Sequence, residues 1–342
     1  MDKDKILFLE MKEDWQKEHV LRSLGQAHEV VFHPGTAADL PKSTEEASIL
    51  SPFINSRITR EDLTRFPGLR FIATRSTGYD HVDIEAAGSR GIPVANVPVY
   101  GENTVAEHTF ALILSLSRNL RRAYFKTQQG DFSIDGLLGF DLKGKKLGVV
   151  GTGHIGLHVI HMARGFGLHV LAHDVRQDHF LAEVLGFQYV GFDELLAESD
   201  IVSLHVPYMK ATHHLLNRDN ISKIKRGAIL INTSRGGLVE TSALVSALDQ
   251  GILSGVGLDV LEGEEFILDE KRLLESAESR DSWDKVQISL RNHILLGRAN
   301  VIFTPHIAFY SKEAVTRILD TTVANIRGFL AGKPVNVVNG RG

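Results

Sequence analysis

A glycine-rich turn is the first candidate for chemistry in this sequence of 342 residues. Residues 145–157 begin as an apolar run, are interrupted by Gly151, Gly153 and Gly156, and resume with a helical pattern. In a dinucleotide-binding turn the first glycine makes the turn, the second lets the backbone approach a pyrophosphate, and the third lets the helix pack on the strand. The amides that open the helix then face the phosphates.

An acidic residue at the end of the next strand supports this interpretation. Residues 168–172 predict an apolar strand, and Asp174 follows it, 18 residues after Gly156. An acid near this spacing accepts hydrogen bonds from the adenosine ribose hydroxyls, so the sequence predicts a dinucleotide site; the alternative is a βαβ unit with coincidental glycines. We expect Asp174 to repel a 2′-phosphate and thus to favour NADH over NADPH, although Arg176 would attract that phosphate.

Four further side chains suit the reduction of a carbonyl group. Such a reaction needs a cation for the substrate's anionic end, a proton donor for the oxygen, and a group that keeps the donor charged. Arg235, Asp259, Glu264 and His306 each follow a predicted apolar strand. Because ligands of open α/β sheets bind at the carboxyl ends of strands, we expect these side chains at one rim of a sheet.

The alternation of strands and helices predicts two parallel sheets, hence an α/β fold. The first five strands are expected at 6–9, 29–32, 47–50, 69–73 and 93–95, and the next seven at 147–150, 168–172, 188–190, 201–204, 228–232, 254–258 and 301–303. A long helix from 104 to about 126 starts the second unit. A last helix over 311–330 should return to the first unit, leaving a cleft that closes on a ligand.

Composition narrows the class of protein. The apolar and charged fractions, 43% and 23%, are ordinary for a globular protein long enough for two domains. The net charge of -4 and the lack of a long basic run argue against nucleic-acid or anionic-membrane partners, and the cluster 118–122 is interpreted as a solvated helix face. Without a signal or a membrane-length apolar stretch, we expect a cytoplasmic protein. The absence of cysteine excludes disulfides and zinc-thiolate sites, and we predict no metal site.

A series of motifs over nearly the whole chain resembles the D-isomer-specific 2-hydroxyacid dehydrogenase family, and within it the enzymes that reduce pyruvate to D-lactate. Besides the glycine turn, the motifs are Arg75-Ser-Thr-Gly-Tyr-Asp80, Asn96-Val-Pro-Val-Tyr100, Val105-Ala-Glu-His108, Leu204-His-Val-Pro207, Asn232-Thr-Ser-Arg-Gly-Gly237, Gly257-Leu-Asp-Val260 with Glu264, and Thr304-Pro-His-Ile-Ala-Phe-Tyr310. The resemblance implies a Rossmann NAD domain, 101–304, inserted into a flavodoxin-like substrate domain formed by 1–100 and 305–342. It also implies a homodimer built by the 104–142 region.

The resemblance implies a role for each site residue. Arg235, Glu264 and His306 are the expected catalytic set, with the hydride coming from NADH and the proton from His306. Amides at Thr77 and Gly78 should hold the substrate carboxylate. Tyr100, Phe53 and Phe309 are expected to line the substrate pocket or, alternatively, to be core aromatics. The expected cofactor-binding residues are Gly151, Gly153, His154, Ile155, Gly156, Asp174, His205, Val206, Pro207, Thr233, Ser234 and Asp259, the last near the nicotinamide.

Several alternatives stay open at this point. Glu262 and Glu265 neighbour Glu264, and only the resemblance selects Glu264. The 41 residues between Glu264 and His306 suggest an insertion at 266–298. Alternative functions are a glyoxylate/hydroxypyruvate reductase, a phosphoglycerate dehydrogenase, and a non-enzymatic nucleotide-sensing scaffold similar to the C-terminal-binding-protein corepressors.

Overall fold

The computed structural model describes residues 3–264 and 280–340. The chain divides into two compact units, one formed by Met1–Gly101 with Tyr310–Gly342 and the other by Glu102–Phe309. The chain thus re-enters the first unit at Tyr310, five residues after the expected position 305. The proposed insertion at 266–298 lies partly outside the described residues; its second half contributes a helix.

The first unit is a five-stranded parallel sheet with the order β2-β1-β3-β4-β5. This is the flavodoxin-like order, in which ligands bind beyond the carboxyl ends of the strands. Its elements are β1 (Lys5–Phe8), α1 (Asp14–Leu24), β2 (Glu29–Phe32), β3 (Ile49–Ser51), α2 (Arg60–Thr64), β4 (Phe71–Ala73), α3 (Ile84–Ser89), β5 (Val94–Ala95) and, near the end of the chain, α11 (Lys312–Leu330), with 3-10 turns at Ala37–Asp39 and Lys42–Thr44.

The last helix, α11, packs within the first unit. The Ser311 side chain caps it by accepting a hydrogen bond from Ala314 N, and Gly332 follows it with φ +74°. On its buried side, the ring of Phe329 stacks on that of Phe71 in β4 at 4.4 Å between centroids. An amphipathic helix is stabilised mainly by such packing, so the contact with β4 helps to hold α11 against this sheet.

The second unit is a seven-stranded parallel sheet with the order β12-β11-β10-β9-β6-β7-β8. Starting from β6 this is the Rossmann arrangement, with one strand added at the edge. Its elements are α4 (Glu102–Ser117), α5 (Leu120–Gln128), β6 (Lys146–Val150), α6 (His154–Gly165), β7 (His169–His173), α7 (His179–Leu185), β8 (Gln188–Tyr189), α8 (Phe192–Glu198), β9 (Ile201–Leu204), β10 (Ala228–Asn232), α9 (Thr241–Asp249), β11 (Leu253–Leu258), α10 (Arg280–Leu296) and β12 (Val301–Phe303), with 3-10 turns at Ile221–Lys223 and Gly236–Leu238.

The helix expected from 104 to about 126 is in fact two helices. The helix is interrupted at Asn119, which has a left-handed φ of +49°. The side-chain amide of Asn119 donates hydrogen bonds to the carbonyls of Leu137 and Leu138. Asparagine tolerates this conformation better than most residues, so it can end one helix and turn the chain into the next. In the cluster 118–122, expected to be a solvated helix face, Arg118 and Arg122 are exposed, but Arg121 is half-buried and donates hydrogen bonds to the carbonyls of Arg298 and Val301.

Candidate active site and cofactor loop

The three glycines of the turn between β6 and α6 have different surroundings. Gly151 has φ +99°, and a Cβ built there would lie 2.6 Å from the carbonyl oxygen of His205. A Cβ on Gly156 would lie 2.0 Å from the carbonyl oxygen of Gly151. In contrast, a Cβ on Gly153, the residue that caps the N-terminus of α6, would meet nothing within 4 Å. Gly151 and Gly156 are therefore needed to fold the turn. Gly153 instead leaves open space at a helix N-terminus, where an anion such as pyrophosphate fits.

This difference predicts that alanine at Gly153 affects NADH binding, whereas alanine at Gly156 affects stability. Gly153→Ala should leave the thermal unfolding midpoint unchanged but raise the Kd for NADH by at least about tenfold, because its methyl group enters the space that a pyrophosphate needs. Gly156→Ala should lower the unfolding midpoint, since backbone would have to move. Differential scanning fluorimetry and fluorescence titration with NADH measure both quantities. Equal NADH affinity in Gly153→Ala and wild type would contradict the assignment of this turn.

Asp174 follows β7 and is held by the glycine turn. Its carboxylate accepts hydrogen bonds from Thr152 N at 2.7 Å and from Arg176 N at 2.9 Å. Burial acts to raise the pKa of Asp174, but these backbone hydrogen bonds from Arg176 and Thr152 outweigh it, so the pKa lies below its ordinary value. The charge expected to face a ribose is thus fully present at neutral pH.

The segment after β9 lies behind the glycine turn. The carbonyl of His205 and the side chain of Val206 occupy the space beside Gly151. His205 is half-buried, and the loss of water around its ring lowers its pKa to about 3, so the ring is neutral at pH 7. Its Nε2 lies 2.8 Å from Ser203 Oγ. The carbonyl of Pro207 accepts a hydrogen bond from Thr212 Oγ1 at 2.7 Å. Here His205 and Val206 form the wall of the turn.

Arg235 lies just after β10, in a segment that is fixed by its own hydrogen bonds. Asn232 at the strand end donates to the carbonyl of Arg235 at 2.9 Å and accepts from Ser234 N at 3.0 Å. Ser234 Oγ donates to the carbonyl of Leu204, which ties the segment to β9. Gly236 follows because a Cβ there would overlap Leu261, 2.0 Å from its carbonyl oxygen. The guanidinium of Arg235, half-buried, is thereby held at the carboxyl end of the sheet.

His306 and Glu264 meet as a pair in the second unit. The distance from His306 Nδ1 to Glu264 Oε1 is 3.1 Å, and both side chains are partly buried. A carboxylate only accepts, so the ring carries hydrogen on Nδ1, and Nε2 is the nitrogen from which a proton can be transferred. The structure therefore brings together His306 and Glu264, two of the three side chains that the resemblance implies as the catalytic set.

Asp259 fixes the backbone that carries His306. It is fully buried, and its carboxylate accepts hydrogen bonds from Ile307 N at 2.9 Å, Ala308 N at 2.8 Å and the hydroxyl of Thr304. His306 itself has φ +55°, a left-handed conformation that histidine adopts only when its surroundings impose it. Asp259 thus holds the backbone around His306 in place, and its nearness to a nicotinamide stays a prediction.

His108 in α4 extends this arrangement. Its Nε2 lies 2.9 Å from Thr304 Oγ1 and 3.5 Å from Asp259 Oδ1. Sequence reasoning had given His108 and Thr304 no individual role, although both stand in the quoted motifs. Thr233 also contacts α4, with its hydroxyl 3.1 Å from that of Thr109. Helix α4 therefore supports the carboxyl ends of both β10 and β12.

In the first unit, the loop after β4 is held by short polar contacts. The hydroxyl of Thr77 donates to the carbonyl of Val97 at 2.7 Å, and that of Ser76 donates to the carbonyl of Gly78 at 2.6 Å. Asn96 donates to the carbonyl of Thr77 at 2.8 Å. Because the carbonyls of Thr77 and Gly78 are bound by the protein, the loop has a defined backbone conformation, which an amide site for a carboxylate requires.

A buried arginine next to this loop was missed by sequence reasoning. Arg75 is 3% exposed, donates to the carbonyl of Leu9, and lies 5.0 Å from the centre of the Phe53 ring. Burial lowers its pKa to about 10, so it remains a cation at neutral pH, and its contact with Phe53 is a cation–π interaction. The signal was available, since Arg75 opens one of the quoted motifs.

The remaining residues predicted to bind substrate or cofactor are distributed over both units. The Tyr100 carbonyl accepts a hydrogen bond from Arg317 of α11. Phe309 is 8% exposed, with its ring edge-on to that of His306 at 6.4 Å between centroids. His154, the first residue of α6, is mostly exposed, and Ile155 is partly buried.

None of the helices in the described part of the chain is long and apolar enough to cross a membrane. Within residues 3–264 and 280–340, no group of three histidine or acidic side chains could hold a metal ion.

Comparison with known proteins gives consistent matches. The model of the D-isomer specific 2-hydroxyacid dehydrogenase NAD binding domain matches residues 110–308. The D-lactate dehydrogenase of Escherichia coli is 37% identical over 284 residues, which cover 82% of this chain and 83% of that protein. An aromatic 2-oxoacid reductase of Clostridium sporogenes is 34% identical over 297 residues, 86% of this chain and 85% of that one.

Among solved structures, a D-lactate dehydrogenase from Aquifex aeolicus, complexed with NAD and lactic acid, aligns with a TM-score of 0.86. It is 37% identical, and the alignment covers 98% of this chain and 100% of that one. The similarity therefore extends over both units.

Proposed function

The chain belongs to the D-isomer-specific 2-hydroxyacid dehydrogenase family and is an NAD-dependent enzyme, and we propose that it reduces a small 2-oxo acid, pyruvate by preference, to the D-2-hydroxy acid. The observation that carries this proposal is the His306–Glu264 pair at 3.1 Å, a general acid with a charge partner. NAD, when bound in its reduced form, supplies the hydride. The open space at Gly153 and the ionised Asp174 fit its pyrophosphate and ribose.

In this proposal each site residue has a defined role. His306 delivers a proton from Nε2 to the carbonyl oxygen of the substrate, while Glu264 keeps the ring charged. Arg235 binds the substrate carboxylate and polarises the carbonyl, as a planar cation with a fixed fork of donors. Amides at Thr77 and Gly78 bind the same carboxylate.

The pocket for the substrate's own side chain is assigned to aromatic residues. We assign Phe53, Tyr100 and Phe309 to this role because an apolar wall selects small aliphatic or aromatic 2-oxo acids over those with a second carboxylate. The relatives named above include both a D-lactate dehydrogenase and an aromatic 2-oxoacid reductase, so the size of the preferred substrate is the quantity to measure.

A panel of 2-oxo acids tests the function. Pyruvate, 2-oxobutyrate, phenylpyruvate, glyoxylate and hydroxypyruvate are each assayed with NADH and with NADPH by absorbance. We expect the highest kcat/KM for pyruvate, the D enantiomer as product, and at least about tenfold preference for NADH, because Asp174 would face the extra phosphate of NADPH. Preference for glyoxylate or hydroxypyruvate would support the alternative reductase. Dinucleotide binding without turnover on any of the five would support the scaffold alternative.

Removing the charge partner of the acid should change the pH dependence. In Glu264→Gln the ring of His306 loses a neighbouring negative charge, so it gives up its proton at lower pH. The alkaline limb of kcat/KM for reduction should therefore move to lower pH, while the amide keeps one hydrogen bond. The measurement is kcat/KM against pH for both proteins, with chemistry shown to be rate-limiting by a deuterated cofactor. Superimposable alkaline limbs would mean that Glu264 does not act on His306.

We also propose that the enzyme is a cytoplasmic homodimer formed through the 104–142 region. Apolar side chains are exposed on α5 and on the segment after it, namely Leu120, Tyr124, Phe125, Phe132, Ile134 and Leu138. Phe132, Ile134 and Leu138 are 80%, 84% and 95% exposed, and such a cluster is typical of a surface that a partner covers. Analytical ultracentrifugation should give twice the chain mass of 37.8 kDa, and a monomer at micromolar concentration would contradict this assignment.

A further inference from the structure

Two glutamates that are separated by one glycine have different histidine partners. Glu264 lies against His306, whereas Glu262 Oε1 lies 2.6 Å from Nε2 of His214. The second carboxylate oxygen of Glu262 accepts a hydrogen bond from Thr241 N, the first amide of α9, at 2.9 Å. Glu262 is therefore not an alternative partner for the acid, because both of its oxygens are bound elsewhere.

The backbone at Glu262 is held as firmly as its side chain. Asn292 of α10, fully buried, donates to the carbonyl of Glu262 at 2.9 Å. Beside it, Leu261 packs so closely on Gly236 that a Cβ there would overlap its carbonyl. Contacts thus reach this loop from α9, from α10 and from the segments after β9 and β10.

The partner histidine is itself strained into place. His214 has φ +49°, its amide donates to the carbonyl of Gly237 at 2.9 Å, and its carbonyl accepts from Asn217 at 2.9 Å. A non-glycine residue keeps this conformation only where its surroundings determine it, and such strain is common at functional sites. Here the surroundings include the bond to Glu262.

From these contacts we propose that Glu262, held by His214, is a positioning residue that sets the distance between Glu264 and His306. The chain from Glu262 to Glu264 passes only through Gly263, with φ +66°, so a shift at Glu262 reaches the acid's partner almost directly. Misplacement by about 1 Å can cost about 100-fold in rate. The inference rests on the proposed function only where activity is used to measure it.

Other charged groups face this pair and must be controlled. The ring of His213 stacks on that of His214 at 3.8 Å, and the hydroxyl of Tyr208 lies 3.1 Å from His213 Nδ1. On another side Glu240 pairs with Arg218 at 2.8 Å. Glu240→Gln is therefore a matched control, since it removes a similar charge near His214 without touching the loop that carries Glu264.

The main experiment follows the ring of His306 directly by NMR. Protein labelled at histidine carbons is titrated with acid and base, and the His306 signal is assigned by its loss in His306→Gln. In Glu262→Gln we expect His306 to titrate at lower pH, in the direction of Glu264→Gln but by a smaller amount. Glu240→Gln should leave the titration unchanged. This readout does not depend on turnover, so it remains decisive even if none of the 2-oxo acids is reduced.

Kinetics provides the second readout. We expect kcat/KM at pH 8 to fall about tenfold in Glu262→Gln with the Kd for NADH unchanged. In the double variant Glu262→Gln/Glu264→Gln, the alkaline limb of the kcat/KM–pH profile should lie close to that of Glu264→Gln alone, because Glu262 acts through Glu264. His214→Gln, which keeps a donor, should stay closer to wild type than His214→Ala. A lowered unfolding midpoint with an unchanged His306 titration would overturn the proposal and leave Glu262 a purely structural residue.

Discussion

His306→Gln is expected to lower kcat for 2-oxo acid reduction about 1,000-fold, the middle of the range for loss of a general acid. Glutamine can donate a hydrogen bond to the developing oxyanion but cannot deliver a proton. Because the ring lies beyond β12 and not in the glycine turn, the Kd for NADH should stay within about twofold of wild type, a change of less than about 0.4 kcal/mol. Single-turnover kinetics and fluorescence titration give the two quantities separately.

The control for this variant is His293→Gln, an exposed histidine of α10. It should leave both kcat and the unfolding midpoint unchanged. If His306→Gln loses affinity for NADH as strongly as it loses kcat, its main effect is on the shape of the site. If it retains most of kcat, the proton comes from another group and the proposed mechanism is wrong.

The family and the fold class predicted from the sequence are confirmed. The fold class could be predicted because apolar runs and helical segments alternate regularly along the chain. Strands buried on both faces of a parallel sheet appear as continuous apolar runs, and each of the twelve expected runs coincides with a strand to within two residues. The turns that follow strands are marked by glycines, such as Gly151, that have a positive φ or lie too close to another backbone segment for a side chain.

What could not be predicted depends on contacts between distant parts of the chain. The break at Asn119 arises because its amide binds carbonyls 18 and 19 residues later, a pairing that no local pattern signals. The choice between Glu262 and Glu264 depends on which histidine each one meets, 48 and 42 residues away in sequence. Physical reasoning from the sequence left that choice open, and three-dimensional placement resolves it.

The buried cation Arg75 is a further example. A charged residue is almost never fully buried without a partner, so composition and local pattern favour an exposed position. In the folded chain, carbonyl, sulfur and aromatic groups from β1 and its loop and from the loop after β3 surround its guanidinium. Sequence alone does not show that these groups converge.

Arg235→Lys should lower kcat/KM for pyruvate by about 100- to 1,000-fold, the range for loss of one preorganised group that stabilises charge in the transition state. Lysine keeps the positive charge but replaces a planar fork by a single ammonium group, which cannot contact a carboxylate and a carbonyl oxygen in the same fixed geometry. The segment that holds Arg235 is bound through its backbone and through Asn232 and Ser234, so the substitution should leave the unfolding midpoint unchanged.

Arg226→Lys is the matched control for this substitution, since Arg226 is exposed just before the other end of the same strand, β10. It should have wild-type kinetics and stability. A split between parameters makes the test sharper: if Arg235 only binds the carboxylate, KM rises and kcat is kept, whereas polarisation of the carbonyl requires kcat to fall as well. Unchanged kcat and KM in Arg235→Lys would exclude Arg235 from the reaction and transfer the search for the substrate's cation to other arginines of the chain.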